Sequence, residues 1–123
     1  MKVINVNRLP KEQVADSLTS LFTHPVTMQY VIGKELSRTF AVTQVNFGRG
    51  VRNKFHRHSK EQILIVTDGK GIVATENEEI TVVPGDVIYI PAGEKHWHGA
   101  VKDATFSHLY VWTPDTETTQ LED

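Results

Sequence analysis

The chain has 123 residues, of which 39% are hydrophobic and 23% are charged, and its formal net charge is −2. These values predict one soluble globular domain with a single core, and they exclude the basic surface that a nucleic acid partner requires. Cysteine is absent, which excludes disulfides and thiolate metal sites.

The hydropathy of the chain predicts the cellular compartment of the protein. Residues 1–10 contain no apolar stretch of the kind found in signal peptides. No run approaches the ~18 apolar residues that a membrane span needs. We therefore expect a cytoplasmic protein with no membrane partner.

The first 38 residues predict a short helix or turn and an edge strand that pack on the rest of the molecule. Val14 and Leu18 share one face at helical spacing within residues 10–18. The segment Val26–Ile32 is rich in β-branched and aromatic residues, which favour strands.

Residues 39–113 predict a barrel of short strands separated by turns that contain glycine or proline. The segment 39–47 alternates between two faces. The segment 62–67 is a nearly continuous apolar run, which predicts a strand buried on both faces. Asp68-Gly69 predicts a hairpin turn into a strand at 70–75.

The remaining elements complete an all-β architecture. A hairpin at 76–78 leads into the first of four further predicted strands, and residues 114–123 form a polar, acidic C-terminal tail that we expect to be frayed. Many short strands with almost no helix are typical of a sandwich or barrel. The four further strands are 79–83, 86–90, 96–98 and 104–112.

Two His-x-His pairs carry the strongest chemical pattern, His56 with His58 and His96 with His98. Side chains alternate along a strand, so both imidazoles of a pair lie on one face. Neutral imidazole is the commonest protein metal ligand. The sequence therefore predicts a metal site, with His108 on the last strong strand nearby.

The spacing around these pairs resembles the two-motif signature of the cupins. The first motif has five residues between Gly50 and His56, and three between His58 and Gln62. The second has five residues between Gly85 and Pro91, followed by Gly93 and His96. The resemblance covers about residues 40–112, and it implies a double-stranded β-helix of the jelly-roll type with a ligand site in the barrel.

By position, the resemblance implies four metal ligands: His56, His58, Gln62 and His96. Many cupins have Glu where this chain has Gln62. Strand parity favours Gln62 over the neighbouring Glu61, although a turn at 59–60 leaves Glu61 as an alternative. A neutral ligand set leaves the full dipositive charge on the metal, which favours Lewis-acid chemistry.

Further segments resemble the small manganese cupins with a three-His-one-Gln site, which include hydroxynitrile lyases and carboxymuconolactone-decarboxylase-associated cupins. This likeness implies one Mn²⁺ per chain, with Fe²⁺ or Ni²⁺ as alternatives, and a homodimer formed through edge strands and the N-terminal segment. It also implies that His98 and His108 lie near the metal, where either can act as a general base.

The same likeness implies a substrate pocket and shows where this chain departs from the lyases. Asn53 stands where the lyases have Thr, and Trp112 stands where they have Gln, so a bulky ring changes the volume left for substrate. The implied pocket residues are Thr43, Val45, Asn53 and Trp112.

Three functions are compatible with this pattern. The first is a metal-dependent lyase, resembling the hydroxynitrile lyases, that acts on a small hydroxy or carbonyl compound. The second is a metal-dependent dioxygenase or other oxidoreductase, which needs a redox-active metal. The third is a non-catalytic module that binds a small molecule.

Overall fold

A computed structural model describes all 123 residues, which form eleven strands and two short 3₁₀ helices at Val6–Arg8 and Asp16–Leu21. Neither helix has the length or apolar character to cross a membrane. The strands are β1 (Glu12–Gln13), β2 (Thr27–Ile32), β3 (Ala41–Phe47), β4 (His56–His58), β5 (Gln62–Gly69), β6 (Gly71–Ala74), β7 (Glu79–Val82), β8 (Val87–Ile90), β9 (Trp97–Ala100), β10 (Phe106–Trp112) and β11 (Thr118–Gln120).

The strands form three antiparallel sheets, which confirms the predicted all-β fold. The largest has the order β1-β2-β3-β10-β5-β8, the second has the order β7-β6-β9, and β11 pairs with β4. Strand β10, near the C-terminus, lies between β3 and β5. Such non-sequential neighbours are typical of a jelly roll rather than of a meander.

Two predictions for the segment 62–75 are wrong. Strand β5 is not buried on both faces: Leu64 is fully buried, whereas Ile63 is 38% exposed. Asp68-Gly69 does not close a hairpin, because β5 pairs with β10 and β8 while β6 pairs with β7 and β9. Gly69 adopts a φ of 77°, which lets the chain turn from one sheet into the other.

Of the helix or turn predicted at 10–18, no α-helix forms. Residues 12–13 form β1 and pair with β2, and short 3₁₀ helices lie on either side at 6–8 and 16–21. So short a segment cannot sustain an α-helix without tertiary support, and here Val14 packs into the core instead. Both β1 and β2 belong to the same sheet as β3, so the boundary predicted at residue 38 falls inside one continuous sheet.

The C-terminal tail is not frayed, contrary to prediction. Strand β11 pairs with β4, with Thr118 opposite His58. The carboxylate of Glu122 accepts hydrogen bonds from the Phe55 backbone N–H at 2.8 Å and from Arg52 Nη2 at 2.7 Å. The tail is held by backbone pairing and by a charge-assisted contact, neither of which its polar composition indicates.

The hydrophobic core lies directly beneath the histidines. The Phe47 ring stacks on Phe106 with a centroid distance of 5.9 Å, and it lies 5.9 Å from the His98 ring and 5.7 Å from the His108 ring. These buried aromatic rings pack against the histidines and hold them in position. The core comprises Val14, Phe22, Val26, Val45, Phe47, Val51, Val66, Val82, Ala100 and Phe106.

Candidate metal centre

The two histidine motifs meet at an antiparallel bridge between His56 and His96. The backbone N–H of His56 donates to the carbonyl of His96, and the N–H of His96 donates to the carbonyl of His56, both at 3.0 Å. Gly99 allows the two segments of the backbone to lie close together, because a Cβ there would overlap the backbone of Arg52. Backbone pairing therefore brings together side chains that are forty residues apart.

Three imidazoles converge at this bridge. Ring centroids are 4.9 Å apart for His56 and His58, 4.3 Å for His56 and His96, and 5.5 Å for His58 and His96. Each side chain offers a nitrogen within 4.8 Å of the other two. All three residues are buried, so the cluster belongs to the interior of the protein and not to its surface.

The outer nitrogens of two of the imidazoles, His56 and His96, are fixed by carbonyl oxygens. The Lys54 carbonyl is 2.6 Å from His56 Nδ1, and the Glu94 carbonyl is 2.8 Å from His96 Nδ1. A carbonyl can only accept, so both Nδ1 atoms carry the proton and both Nε2 atoms keep a lone pair. This tautomer is the one a metal-binding histidine needs when it binds through Nε2.

Two buried acceptors have no partner in the protein, Gln62 Oε1 and His96 Nε2. Buried polar atoms are normally hydrogen-bonded, and an exception calls for an explanation such as a bound ion. Both atoms are electron-pair donors, and a cation satisfies them whereas a further hydrogen-bond acceptor does not. The residues therefore fit a divalent metal with nitrogen and oxygen ligands.

Gln62, the first residue of β5, and Glu61, which precedes the strand, point in different directions. Gln62 is 2% exposed and lines the central cavity. Glu61 is exposed, and its carboxylate accepts a hydrogen bond from the Tyr89 hydroxyl. Of the two alternatives, only Gln62 is placed where it can join the three imidazoles.

Burial keeps the three imidazoles neutral. It lowers the pKa of His56 to about 3 and that of His58 to about 4, in both cases with help from the nearby His96. Burial also lowers the pKa of His96, against the opposing effect of the Glu94 carbonyl. Neutral imidazoles do not repel a cation, so the cluster is ready to bind one near neutral pH.

His98 and His108 form a second pair beside the three imidazoles. His108 Nδ1 lies 3.2 Å from the Leu109 carbonyl and therefore carries a proton, which leaves a lone pair on its Nε2. His98 Nδ1 is 3.2 Å from that Nε2 and so donates to it. Burial lowers the pKa of both rings, that of His108 to about 4.

Asn53 completes this hydrogen-bond chain. Its Oδ1 accepts from the His98 backbone N–H at 2.8 Å, which identifies the other side-chain atom as the amide nitrogen. That nitrogen lies 3.2 Å from His98 Nε2 and can donate to it. The hydrogen bonds run in one direction, from the Asn53 amide through His98 to His108, and the lone pair on His98 Nε2 contacts only the neutral Asn53 amide.

The metal cluster and the histidine pair open on one cavity of about 370 Å³. All the pocket residues predicted from the sequence line it, namely Thr43, Val45, Asn53 and Trp112. Gln62, His56, His58, His98 and His108 line it as well, whereas His96 reaches the cluster from the neighbouring wall.

The sequence did not indicate several other residues of this cavity. Tyr110 lies between His108 and Trp112 in the alternation of β10, so strand parity could have identified it. Its ring stacks on Trp112 at 5.5 Å, and burial raises the pKa of its hydroxyl. No pattern indicated the rest of the wall, which comprises Leu18, Leu21, Phe22, Met28, Tyr30, Thr116 and Thr118.

Comparison with known proteins decides the family. A model of the cupin domain matches residues 44–112, which is more than half of the chain and includes both histidine motifs. The chain is a member of the cupin family. The resemblance drawn from the two motif spacings is therefore confirmed.

Two relatives of this cupin carry named activities. An (R)-mandelonitrile lyase from Granulicella tundricola is 40% identical over 72 residues, which cover 58% of this chain and 55% of the lyase. A mannose-6-phosphate isomerase from Cryptococcus neoformans is 24% identical over 80% of this chain but only 20% of its own length. The cupin thus spans about half of the first relative and a fifth of the second.

Solved structures show the same fold. A cupin-like protein from Thermotoga maritima superposes with a TM-score of 0.82 at 27% identity, covering 94% of this chain and 89% of the other. A polyketide cyclase from Streptomyces resistomycificus also gives a TM-score of 0.82, at 21% identity, covering all of this chain and 88% of the other. At that identity the second match shows the fold alone.

Proposed function

We propose that this cupin is a divalent-metal-dependent lyase that breaks or forms a bond beside a hydroxyl or carbonyl group of a small molecule. The single observation that carries the proposal is the pair of unpartnered buried acceptors, Gln62 Oε1 and His96 Nε2, at the three-imidazole cluster. The mandelonitrile lyase relative supports the reaction class.

The metal ligands we propose are His56, His58, His96 and Gln62. Mn²⁺ is our first choice for the ion, with Fe²⁺ and Ni²⁺ as alternatives, because nitrogen and oxygen ligands do not choose among them. The ion supplies Lewis acidity toward an oxygen of the substrate, undiminished by any ligand carboxylate.

The protein supplies the proton transfer. For a cyanohydrin, the hydroxyl proton passes to His98 Nε2, the C–C bond to the nitrile breaks, and its electron pair leaves with cyanide while the oxygen becomes a carbonyl. His98 then returns the proton to cyanide. His108 Nε2, 3.2 Å from His98 Nδ1, accepts a hydrogen bond from the protonated ring and stabilises it.

The remaining walls select the substrate. Apolar and aromatic side chains make up one side of the cavity, including Tyr110 and Trp112. Such a surface binds an aromatic or alkyl body, while the histidines hold the polar end. A compound with one hydroxyl or carbonyl beside an apolar group fits this division.

The test is turnover of racemic mandelonitrile by the Mn²⁺-loaded protein, with benzaldehyde release as the readout. We expect release above the uncatalysed rate, and a loss of about 10²-fold or more in His98→Ala. Glu79→Gln, an exposed change on β7 away from the cavity, serves as the matched control. Oxygen uptake with no lyase turnover would instead favour the oxidoreductase, and tight binding with no product would favour a binding module.

A further inference from the structure

The C-terminal strand β11 reaches into the candidate metal centre. Thr118 lies directly opposite His58 in the β11–β4 pairing, and its Oγ1 is 2.8 Å from His58 Nδ1. Thr118 also lines the cavity, as does Thr116. A segment whose composition predicts a frayed tail thus supplies the one side-chain oxygen that contacts the imidazole cluster from outside.

Thr118 differs in kind from the oxygens that fix the other two imidazoles. The Lys54 and Glu94 carbonyls can only accept, so they hold His56 and His96 in a single tautomer. A hydroxyl can donate or accept. Before any ion binds, His58 can therefore carry its proton on either nitrogen.

Metal binding removes this freedom. His58 Nε2 must offer its lone pair to bind an ion from the cavity, so Nδ1 must carry the proton and Thr118 Oγ1 must accept it. Without that oxygen, the Nδ1 proton of the bound form loses its partner in the protein, and the bound form is disfavoured.

Several contacts hold the C-terminal segment in place, and they keep Thr118 beside His58. Glu122 bonds to Arg52 Nη2 and to the Phe55 N–H, and the Leu121 N–H donates to the Phe55 carbonyl at 2.8 Å. Ser20 Oγ donates to Gln120 Oε1 at 3.2 Å, which joins β11 to the 3₁₀ helix on the other side of the cavity mouth. These contacts hold the chain just after Thr118, and the Glu117 N–H, which donates to Ser59 Oγ at 2.8 Å, holds it just before.

We infer that Thr118 is a positioning residue of the metal centre, whose hydroxyl fixes His58 in the metal-binding tautomer and so sets the affinity for the ion. The inference rests on the proposed metal function and adds an element to it. The C-terminal strand becomes part of the site, and metal affinity depends on its docking.

The experiment compares Mn²⁺ affinity in four full-length, demetallated proteins by competition with a fluorescent chelator. Thr118→Val keeps the shape of the side chain at a solvent-exposed position, so the fold is expected to survive, and it removes the acceptor. We expect Kd to rise about 10–100-fold. Thr118→Ser restores the oxygen and is expected to return Kd to within about threefold of wild type. Thr119→Val, the next exposed residue of β11, is the matched control and leaves Kd unchanged.

A second measurement does not depend on the variants. In the wild-type protein loaded with diamagnetic Zn²⁺, ¹⁵N NMR of the imidazoles is expected to show the proton of His58 on Nδ1. A Kd for Thr118→Val equal to that of wild type, or a proton absent from His58 Nδ1 in the loaded protein, would overturn the inference. Failure of the wild type to bind Mn²⁺ would overturn the proposed function, and this inference with it.

Discussion

Gln62 sets the charge of the proposed metal centre. It is buried in the cavity beside three neutral imidazoles, while the carboxylate of Glu61 points to solvent and bonds to Tyr89. A carboxylate at 62 would cancel one unit of the metal's charge. Because Gln62 faces the cavity and Glu61 does not, this part of the chain adds no negative charge to the metal centre.

We expect Gln62→Glu to bind Mn²⁺ more tightly and to lower kcat for the proposed lyase reaction by about tenfold, because a charged ligand weakens the Lewis acidity of the ion. Chelator competition and initial rates measure the two effects. The matched control is Glu61→Gln, which changes an exposed neighbour and leaves both values unaltered. Equal effects from the two substitutions would show that the charge at 62 does not act through the ion.

His108 makes stability depend on pH. Burial lowers its pKa from 6.5 to about 4 in the folded state. The unfolded chain therefore takes up a proton first as the pH falls, and stability is lost between about pH 6.5 and 4, by at most about 1.4 kcal/mol per pH unit for this group.

Urea unfolding of metal-free protein across this pH range tests the effect. The free energy of unfolding is expected to fall less steeply in His108→Gln, which cannot titrate, than in wild type. Thr119→Val changes an exposed residue that does not titrate and is expected to keep the wild-type slope. An identical slope in His108→Gln and wild type would contradict the assignment.

Strand parity explains which side chains can be assigned from sequence. Alternation places His56 with His58, and His108 with Tyr110 and Trp112, on the cavity side, since each group lies in one strand. His96 precedes β9 and reaches the cluster through its bridge to His56. Thr118 could not be found in this way. Its role depends on which strand β11 pairs with. A long-range pairing produces no periodic pattern in the ten residues at 114–123, from which it could be predicted.

At the scale of elements, the sequence predicts where strands lie better than which strands pair. The strands near 41–47, 79–82 and 106–112 were placed within about two residues. The hairpin expected at Asp68-Gly69 was wrong, because Gly69 serves equally for a tight turn and for the passage between two sheets. Local turn chemistry does not distinguish the two.

The close contact between β9 and the residues just before β4 can be tested by mutation of Gly99. We expect Gly99→Ala to lower the free energy of unfolding by about 1–3 kcal/mol, because the added methyl overlaps the backbone of Arg52 and the carbonyl of Val51. Gly48→Ala is the control, since a Cβ there meets only Val51 at an ordinary 3.6 Å. Equal stability of the two variants in urea unfolding would show that the β9 contact can relax.

At the scale of the whole molecule, we propose a homodimer formed through the N-terminal edge of the large sheet. The two-residue strand β1 covers only Thr27 and Met28 of β2, so the rest of that strand presents an open edge. Open edges tend to pair with another chain. Light scattering is expected to give the mass of two chains over a wide range of concentrations, and a constant single-chain mass would contradict this proposal.

The whole architecture converges on one cavity, with the three imidazoles and Gln62 on one side and the His98–His108 pair on another. The fold could be predicted because the spacing of two short motifs is specific to the cupin family, whose model matches residues 44–112. The substrate could not be predicted, since the cavity wall is assembled from both ends of the chain as well as from the barrel.

The most direct test of the account is elemental analysis of the full-length protein purified without a histidine tag, beside His96→Ala. We expect close to one equivalent of a divalent transition metal, manganese first, in the wild type and its loss in the variant. A wild-type protein that contains no metal and takes up none on reconstitution with Mn²⁺, Fe²⁺ or Ni²⁺ would contradict the proposed metal centre.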